Sequence, residues 1–438
     1  MDKKTFVGGV HPPDCKHYSA AKPIEVCPLP EQLIIPLSQH IGAPAKEIVT
    51  VGDQVFKGQT IANATAFVSV PIHAATSGRV MAIEPRPHPS GKLLPAIVIE
   101  VDGEDRWDPS LKGLDVAHWN SDELRQRIKA AGIVGMGGAT FPTHVKLSPP
   151  DDKPIDTLII NGVECESYLT ADHRMMLEHS EKIIDGINIL RRVLGVKQAI
   201  IGIESNKPDA IACMTKAAAA HDIEVQALEV KYPQGAEKQL IDAVLKREVP
   251  SGGLPMDIGV VVQNVSTAAA VSDAIRLGHP LVERVITISG PAVVEAKNLL
   301  VRIGTPMEFL LQQCDGIKYE LDKIIMGGPM MGQSQLSLAA PAIRGTSGLL
   351  LFGHQDLPHI EVGTCIRCGR CVTACPLHLL PATIASYAIL GRFDEAEDYC
   401  AHDCMECGCC TFQCPANRPL VQNLRYAKAG ILAKQRRT

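Results

Sequence analysis

The 438-residue sequence lacks the features that mark several classes of protein. It has no run of 18 or more apolar residues, the length that a membrane-spanning helix needs. Its formal net charge is -5, so no overall basic character favours nucleic-acid binding. The N-terminal segment MDKKTFVGGVHPP has neither the apolar region nor the cleavage site of a secretory signal. We therefore expect a chain that binds no nucleic acid, does not span a membrane by itself and stays in a reducing compartment.

Disorder and fibrous structure are also excluded, because 46% of residues are hydrophobic, 21% are charged and only 4% are aromatic. The length is too great for one core and suits about three domains at roughly 150 residues each. Cysteine is scarce over most of the chain: the first 364 residues contain five of the fifteen, and the other ten lie between Cys365 and Cys414. This distribution predicts a chemically distinct C-terminal unit.

Residues 1–115 are predicted to form a β domain. Turns at Gly52-Asp53 and Lys57-Gly58 separate short strands, and the pattern recurs around Ser77-Gly78. The two half-motifs resemble a biotinyl/lipoyl-type barrel-sandwich domain. Because Ala62 to Ile72 contains no lysine that a lipoyl group could modify, we expect a structural or docking role.

Residues 116–248 alternate helices and strands, which predicts a mostly parallel sheet covered by helices. Ser121 is expected to cap the first helix, and Asp172 to Leu194 is expected to be one long helix. The run TLIINGVE has the composition of a buried strand. Residues 249–345, with the strand-like runs GVVVQNV, RVITISG and IIMGG, are predicted to form a small α+β domain that is β-grasp-like. Residues 346–438 form the cysteine-rich unit.

Two cysteine cassettes have the spacing C-x2-C-x2-C-x3-C-P. This run is known from bacterial ferredoxins with two 4Fe-4S clusters, in which the fourth cysteine of each run binds the other cluster. The pattern predicts two ligand sets, which are Cys365, Cys368, Cys371 and Cys414 for cluster 1, and Cys404, Cys407, Cys410 and Cys375 for cluster 2. Structural zinc is the alternative, although it typically uses two C-x2-C pairs. Cys400 and Cys409 fall outside the pattern, and we expect Cys409 to be a packed thiol.

A glycine-rich loop follows the first helix of the α/β region, from Ala131 to Lys146. It follows a helix and lacks the Gly-Lys-Ser/Thr end of a P-loop, so it is neither a Rossmann fingerprint nor a P-loop. Gly135, Gly137 and Gly138 would still let the backbone approach a flat or phosphorylated ligand, with Lys146 as a cation. The polar run Asn161 to Glu166 stands at the end of a predicted strand, where open α/β sheets bind ligands. The alternative for Glu164 and Glu166 is that they are helix caps or solvated charges.

These segments resemble a known family. GMGGATFPTHVK and NGVECES are similar to the flavin loop and acidic strand end of the NADH-oxidising flavoprotein subunit of respiratory complex I, and YPQGAEKQL and QNVSTAAA to its third and fourth flavin-site segments. The closer resemblance is to the C subunit of Rnf electron-transport complexes, which adds KTFVGGVHPP, PLSQHIGAPA, PIHAATSGRV, MGGPMMG and the paired cassettes. It implies a barrel-sandwich domain, an FMN-binding α/β domain, a β-grasp ligand-binding domain and a two-cluster ferredoxin domain.

The resemblance also implies a role for each matching residue. Gly135, Gly137, Gly138 and Lys146 would cradle FMN, and Asn161, Asn264 and Thr267 would contact its ribityl-phosphate. Glu164, Gly235 and Glu237 would lie near the isoalloxazine and nicotinamide, with Phe141 as a stacking surface for NADH. Val163, Ala236 and Gln263 depart from the complex I pattern, which has Asp, Glu and Asn there.

The implied activity is hydride exchange between NAD(H) and FMN, followed by one-electron transfer through two 4Fe-4S clusters. In this family membrane and iron-sulfur partner subunits exchange electrons with ferredoxin and translocate Na+ or H+. The chain would then be a peripheral component at the cytoplasmic face of the inner membrane, where a basic tail could touch lipid or a partner. That tail contains Arg425, Lys428, Lys434, Arg436 and Arg437. Two alternatives remain, a cobalamin-reducing flavoprotein of a microcompartment and an iron-sulfur scaffold that has lost FMN.

Overall fold

The computed structural model describes residues 4–436, apart from the side chain of Ala117. Arg437, part of the predicted basic tail, lies outside the described residues, as do the first three residues. The strands are β1 (Ile24–Val26), β2 (Gln32–Pro36), β3 (Lys46–Glu47), β4 (Gln54–Val55), β5 (Thr60–Asn63), β6 (Ile72–His73), β7 (Gly78–Pro87), β8 (Leu93–Val101), β9 (Thr157–Asn161), β10 (Gln198–Glu204), β11 (Glu224–Leu228), β12 (Val260–Asn264), β13 (Glu283–Ser289), β14 (Lys297–Arg302), β15 (Lys323–Met326), β16 (Gln333–Gln335) and β17 (Gly348–Phe352).

The α-helices are α1 (Ser121–Ala130), α2 (Thr143–Lys146), α3 (Ala171–Glu178), α4 (Ser180–Leu194), α5 (Pro208–Ala218), α6 (Glu237–Leu245), α7 (Val265–Arg276), α8 (Met307–Gln312), α9 (Arg370–Thr373), α10 (Pro381–Ile389), α11 (Phe393–Asp398), α12 (Cys409–Phe412) and α13 (Leu420–Gln435). The cap of α1 is Asn120 and not Ser121, because the Asn120 side chain accepts the Glu123 N–H while the Glu123 carboxylate accepts the Asn120 N–H. The long helix expected from Asp172 to Leu194 is two helices, interrupted at His179.

The first β unit consists of two small antiparallel sheets. One has the order β2-β8-β7-β4 and the other β3-β5-β6. Alternate residues of β2 face the interior, and Leu33 and Ile35 are fully buried between the sheets. The predicted turns at Gly52-Asp53 and Lys57-Gly58 precede β4 and β5 as expected.

The α/β unit contains a four-stranded parallel sheet with the order β11-β10-β9-β12. Strand β12 pairs with β9, and α7 packs against α4 so closely that a Cβ at Gly186 would lie 1.8 Å from the Ala268 carbonyl oxygen. The boundary expected at residue 249 is therefore too early, because β12 and α7 complete this sheet and its helical cover. The apolar spacing in α4 does predict its buried face, which includes Ile183 and Ile187.

The third unit is built on a six-stranded mixed sheet with the order β1-β14-β13-β17-β15-β16. In this sheet, β1 comes from the N-terminal part of the chain and β17 from beyond residue 345. The boundaries expected at 115 and 346 therefore do not coincide with this unit, since strand pairing joins segments distant in sequence. Cys27 and Cys314 are buried in its core, as expected of small apolar side chains.

The cysteine-rich unit consists of α9 to α13, with a core that includes Ile384 and Leu424. The N-terminal segment lies between this unit and the α/β unit: Val10 and Tyr232 exchange backbone hydrogen bonds of 2.8 Å, and the Gly9 N–H donates to the Ala374 carbonyl at 2.9 Å. Within residues 4–436, no helix has both the length and the apolar character needed to cross a membrane.

Candidate functional site

The glycine-rich loop is closed at its base and open at its tip. The Gly135 N–H donates to the Phe141 carbonyl at 2.9 Å, and Val134 bridges Pro142. Gly137 and Gly138 are exposed at the tip, and Gly138 has a φ of +116°, a conformation that favours glycine. A Cβ at Gly138 would meet no atom within 4 Å, so the loop backbone faces open space where a flat ligand could approach.

The loop rests on the N-terminal end of α7. The Met136 N–H donates to Thr267 Oγ1 at 2.9 Å. Asn264 caps this helix by accepting from the N–H groups of Ser266 and Thr267, at 2.9 and 3.3 Å. The structure therefore brings two predicted residues, Asn264 and Thr267, directly beneath the glycine loop.

The second and third segments meet through Asn161. Its Nδ2 donates to the Gly235 carbonyl at 2.8 Å, while its Oδ1 accepts from the Val163 N–H at 3.1 Å. The Gly235 N–H in turn lies 3.4 Å from Cys165 Sγ. A Cβ at Gly235 would lie 3.3 Å from that sulfur, so the Gly235 backbone packs closely against the Cys165 side chain.

Lys146 joins the glycine loop to the third segment. Its Nζ lies 2.5 Å from Glu237 Oε1 and 3.1 Å from the Val262 carbonyl oxygen. Both side chains are part-exposed, with 27% of Lys146 and 37% of Glu237 accessible. This cation and carboxylate can therefore both be reached by a ligand above the loop.

Glu164 caps a helix, which is the alternative that its position at a strand end left open. Its carboxylate accepts the backbone N–H groups of Asp172 and His173, at 2.7 and 3.3 Å, and so caps α3. Lys16 Nζ lies 4.0 Å away and also donates to the carbonyls of Glu166 and Leu169, at 2.9 and 2.5 Å. Only 5% of the Glu164 side chain is exposed, so this residue stabilises the acidic strand end from within the protein.

Glu166 anchors the MGGPMMG segment. Its carboxylate accepts from the N–H groups of Met330 and Met331, at 3.0 and 2.9 Å. A Cβ at Gly328 would lie 2.4 Å from the Glu166 carboxyl carbon, so only glycine leaves room for this contact. Burial raises the pKa of the Glu166 carboxyl, while the Met330 and Met331 N–H groups oppose that shift.

Asp172 is a site residue that the sequence alone did not reveal. It accepts from Asn264 Nδ2 and Ser266 Oγ, both at 2.7 Å, and so joins the acidic segment to the cap of α7. Burial, together with the nearby Glu164 charge, raises the pKa of Asp172 to about 6. Its only sequence signal is its place at the start of α3, eight residues after Glu164.

Two glutamines of the flavin-site segments have unpaired polar atoms. Both side-chain amide atoms of Gln234 and the Nε2 of Gln263 are buried and have no hydrogen-bond partner among the described residues. Buried polar groups are usually paired. Together with the open glycine tip and the Lys146 cation, these atoms fit a site for a polar, phosphorylated ligand such as FMN.

Four predicted cysteine ligands surround one cavity. Cys404, Cys407 and Cys410 of the second cassette and Cys375 of the first line one small cavity. Burial raises the pKa of the Cys404 thiol to about 11 and that of Cys410 to about 12, with neighbouring cysteines adding to both shifts. Four sulfur donors around one cavity are a donor set for a 4Fe-4S cluster.

The cysteines predicted to bind cluster 1 are more exposed to solvent than those predicted to bind cluster 2. Within residues 4–436, no group of three or more His, Cys, Asp or Glu side chains is arranged to hold a single metal ion. Burial raises the pKa of the Cys371 thiol, and the nearby Cys414 adds to this shift. Cys365 and Cys368 are exposed, whereas Cys371 is buried and Cys414 part-buried. The ligands predicted for cluster 1 therefore lie nearer the protein surface than those predicted for cluster 2.

Both cassettes contact the flavin-site segments directly. Tyr232, at the start of the third segment, donates its hydroxyl to the Cys407 carbonyl at 2.9 Å. Gln239 Nε2 of α6 donates to the Pro376 carbonyl at 3.1 Å. Cys409 is fully buried, as expected of a packed thiol, and lies in a cluster with Val10 and Tyr232.

Three cations of the predicted basic tail are paired within the cysteine-rich unit. Arg425 and Lys428 contact the Glu406 carboxylate at 2.9 and 2.7 Å, and Lys434 pairs with Asp394. These pairs favour the interpretation of this helix end as a solvated surface.

Comparison with known proteins gives two family matches and a series of relatives. Residues 4–104 match the RnfC barrel sandwich hybrid domain, and residues 128–273 match the Nuo51 FMN-binding domain. The chain is 51% identical to the C subunit of the proton-translocating ferredoxin:NAD(+) oxidoreductase complex of Clostridium ljungdahlii, covering 97% of this chain and 94% of that protein. It is 46% identical to the C subunit of the Na(+)-translocating complex of Acetobacterium woodii, over 99% of this chain and 98% of that protein.

A third relative, the C subunit of the ion-translocating oxidoreductase complex of Rhodobacter capsulatus, is 44% identical over 98% of this chain and 84% of that protein. Among solved structures, an NAD+-reducing [NiFe]-hydrogenase in the H2-reduced state is similar in fold, with a TM-score of 0.51 and 18% identity over 74% of this chain and 67% of that one. These matches confirm a multidomain α/β chain with a barrel-sandwich and an FMN-binding domain.

Proposed function

This chain belongs to the family of Rnf complex C subunits, and we propose that it exchanges hydride between NAD(H) and FMN and passes single electrons through two 4Fe-4S clusters. It is an oxidoreductase that acts with the membrane and iron-sulfur subunits of an Rnf complex, which translocate Na+ or H+ and connect it to ferredoxin. The observation that carries the proposal is the contact between Tyr232, in a flavin-site segment, and Cys407, in a cysteine cassette.

The FMN cradle would be formed by Gly135, Gly137, Gly138 and Lys146. Gly137 and Gly138 are exposed and have no side chain that would block a ring or phosphate. The Lys146 ammonium supplies a positive charge. Asn161, Asn264 and Thr267 would be polar partners of its ribityl-phosphate, since Asn161 and Asn264 end β9 and β12 and Thr267 lies in the first turn of α7. Bound FMN supplies the chemistry that links a two-electron hydride donor to one-electron clusters.

Glu237 and Glu164 are assigned different tasks. Glu237 is part-exposed and would contact the nicotinamide nucleotide, with Lys146 keeping its carboxylate oriented. Glu164 is buried and engaged with α3, so we assign it to positioning Asp172, which in turn holds the cap of α7. Gly235 would lie near the rings, where the absence of a side chain lets it pack against Cys165, and the half-buried Phe141 would offer a face to NADH.

The clusters would be arranged in series. Cluster 2, on Cys375, Cys404, Cys407 and Cys410, would adjoin the flavin because its cassette contacts Tyr232. Cluster 1, on Cys365, Cys368, Cys371 and Cys414, would lie toward the surface because Cys365 and Cys368 are exposed. This order would deliver electrons from the two-electron site to a surface where a partner protein can accept or donate them.

We further assign the cysteine-rich unit as a ferredoxin-type domain and the six-stranded unit as the β-grasp-like domain. The protein would be peripheral, at the cytoplasmic face of the inner membrane, where its nucleotide is available. The relatives support this role over the corrinoid-reducing alternative, since the three described above are subunits of ion-translocating complexes.

Anaerobic reconstitution tests the proposal. The chain is loaded with iron, sulfide and FMN, the bound cofactors are quantified, and NADH is added. We expect both flavin and iron-sulfur absorbance to bleach, and Glu237→Gln to slow the reaction while retaining both cofactors. An iron-loaded chain that binds no FMN would instead identify an iron-sulfur scaffold.

A further inference from the structure

Residues 327–332 of the MGGPMMG segment form the loop between β15 and β16, at one edge of the six-stranded sheet. The Gly332 N–H donates to the Gly328 carbonyl at 2.9 Å and closes the loop. A Cβ at Gly332 would lie 2.3 Å from that carbonyl oxygen, so the loop is too tight for a side chain there. Since β16 is an edge strand, the position of this loop depends on contacts outside the sheet.

Glu166 supplies two of these contacts. Its two carboxylate oxygens accept the N–H groups of Met330 and Met331, at 3.0 and 2.9 Å. Hydrogen bonds to a carboxylate are roughly twice as strong as those between neutral groups. The Glu166 carbonyl is itself held by Lys16 Nζ, at 2.9 Å. One carboxylate of the acidic strand end therefore determines where both methionines lie.

Met330 lies against the second cysteine cassette. A Cβ at Gly408 would be 3.4 Å from the Met330 carbonyl oxygen and 3.7 Å from the Met330 Cε. Gly408 follows Cys407 and lines the same cavity as the four cysteines predicted to bind cluster 2. Met330 also packs in an apolar cluster with Cys407. Because Met330 is part-exposed, it lies at the boundary between this cassette and solvent.

Among the described residues, none covers the matching glycine of the first cassette. Gly369 and Gly408 both follow a predicted cluster ligand, and their φ angles are +76° and +81°. A Cβ at Gly369 would meet no atom within 4 Å, and Gly369 is exposed whereas Gly408 is buried. The two turns have the same backbone conformation, so the difference in burial comes from the Met330 contact.

The apolar shell around a metal site controls its access to solvent, and exposure to solvent affects the properties of iron-sulfur clusters. We propose that Glu166 holds Met330 over Gly408, and that the MGGPMMG loop thereby shields cluster 2 from water and dissolved oxidants. The proposal rests on the proposed function, since it requires that cluster 2 is present. Glu166 is a positioning residue in this scheme, and Met330 provides the cover.

Oxidative loss of the clusters tests the proposal in the full chain, reconstituted with iron, sulfide and FMN. Samples taken at intervals from air-saturated buffer are reduced with dithionite, and EPR measures the signals of clusters 1 and 2. We expect Met330→Ala to lose the cluster 2 signal about tenfold faster than the unsubstituted chain, with cluster 1 lost at an unchanged rate. Met331→Ala is the matched control, because this neighbouring side chain is 45% exposed, and it should change neither rate.

Glu166→Ala should accelerate the loss of cluster 2 to a similar extent, because it releases the loop. If Glu166 acts through Met330, the double variant Glu166→Ala/Met330→Ala should lose cluster 2 no faster than Met330→Ala alone. Additive effects of the two substitutions would overturn the role of Glu166. Glu166→Gln, which keeps the size of the side chain and one acceptor oxygen, should accelerate the loss by a smaller factor.

Equal loss of cluster 2 in Met330→Ala and in the unsubstituted chain would overturn the proposal. Acceleration of both clusters by the same factor would also overturn it, because the substitution would then act through general destabilisation. If an alanine variant does not assemble cluster 2, Glu166→Gln replaces it, and an unchanged rate in that variant has the same meaning. Failure of the proposed function is distinct, since clusters would then be absent after dithionite, or reduced by dithionite and not by NADH.

Discussion

Lys146 and Glu237 are in contact across the candidate flavin site, with Nζ 2.5 Å from Oε1. They belong to segments 91 residues apart, and the same ammonium reaches the Val262 carbonyl of β12. One side chain therefore connects three of the segments on which the FMN assignment depends.

We expect Lys146→Met to weaken FMN binding about tenfold or more, because a hydrogen bond to a charged group contributes roughly 1.5–3 kcal/mol. Flavin content and fluorescence quenching on titration with FMN measure the effect, and iron content should be unchanged. Lys153→Met is the matched control, since Lys153 pairs with Asp257 outside the site. Equal FMN affinity in the two variants would contradict the role given to Lys146.

Cys375→Ser should deplete cluster 2, although Cys375 belongs to the first cassette by sequence. The reason is that its side chain lines the cavity formed by Cys404, Cys407 and Cys410. EPR of the reduced variant should show the cluster 1 signal with the cluster 2 signal weakened or lost. Cys213→Ser, distant from both cassettes in sequence, should retain both signals, and selective loss of cluster 1 in Cys375→Ser would refute the ligand assignment.

Lys207→Met should destabilise the α/β unit strongly. Lys207 Nζ donates to the Val163 carbonyl at 2.7 Å and pairs with Glu204 at 3.2 Å, and both side chains are almost fully buried. Removing one partner of a buried pair costs about 3–5 kcal/mol, because the other charge is left uncompensated. Urea unfolding measures the loss, and Lys182→Met, which breaks a part-exposed pair with Asp273, should cost less than about 1 kcal/mol.

Asp172 should give the protein a characteristic pH dependence. Burial first, and then the Glu164 charge, raises its pKa from 3.8 to about 6. The folded state therefore binds more protons than the unfolded state between these values, so the contribution of Asp172 to stability is present below about pH 4 and is lost as the pH rises through 6.

The variant Asp172→Asn removes this titration. Its stability relative to the unsubstituted chain should improve between pH 4 and pH 7, by up to the order of 3 kcal/mol. Unfolding midpoints measured across this range test the sign, with the exposed Asp398→Asn as control. A relative stability that worsens with pH would contradict the assigned shift.

Local features of the fold were predictable from the sequence, and long-range pairings were not. The spacing of Ile183 and Ile187 predicts the buried face of α4, because helical periodicity is a local property. The pairing of β12 with β9 across about 100 residues has no local signal, which is why the domain boundary at residue 249 was wrong.

In the candidate site, too, local features were predictable from the sequence and long-range contacts were not. The cassette spacing predicts ligand sets whose members Cys375, Cys404, Cys407 and Cys410 the structure brings around one cavity. The engagement of Glu164 by α3, and its partner Lys16, could not be read from spacing, because Lys16 comes from a distant N-terminal segment. Family resemblance predicts which residues form the site, while burial and hydrogen bonding distinguish the part-exposed Glu237 from the buried Glu164.

The order of the electron path is the central claim, and stopped-flow mixing of NADH with reconstituted chains tests it most directly. Two variants are compared under anaerobic conditions, Cys404→Ser without cluster 2 and Cys368→Ser without cluster 1. We predict that FMN is reduced in both, that cluster 2 is still reduced rapidly in Cys368→Ser, and that cluster 1 is reduced slowly in Cys404→Ser. Rapid reduction of cluster 1 in Cys404→Ser, with slow reduction of cluster 2 in Cys368→Ser, would contradict the account.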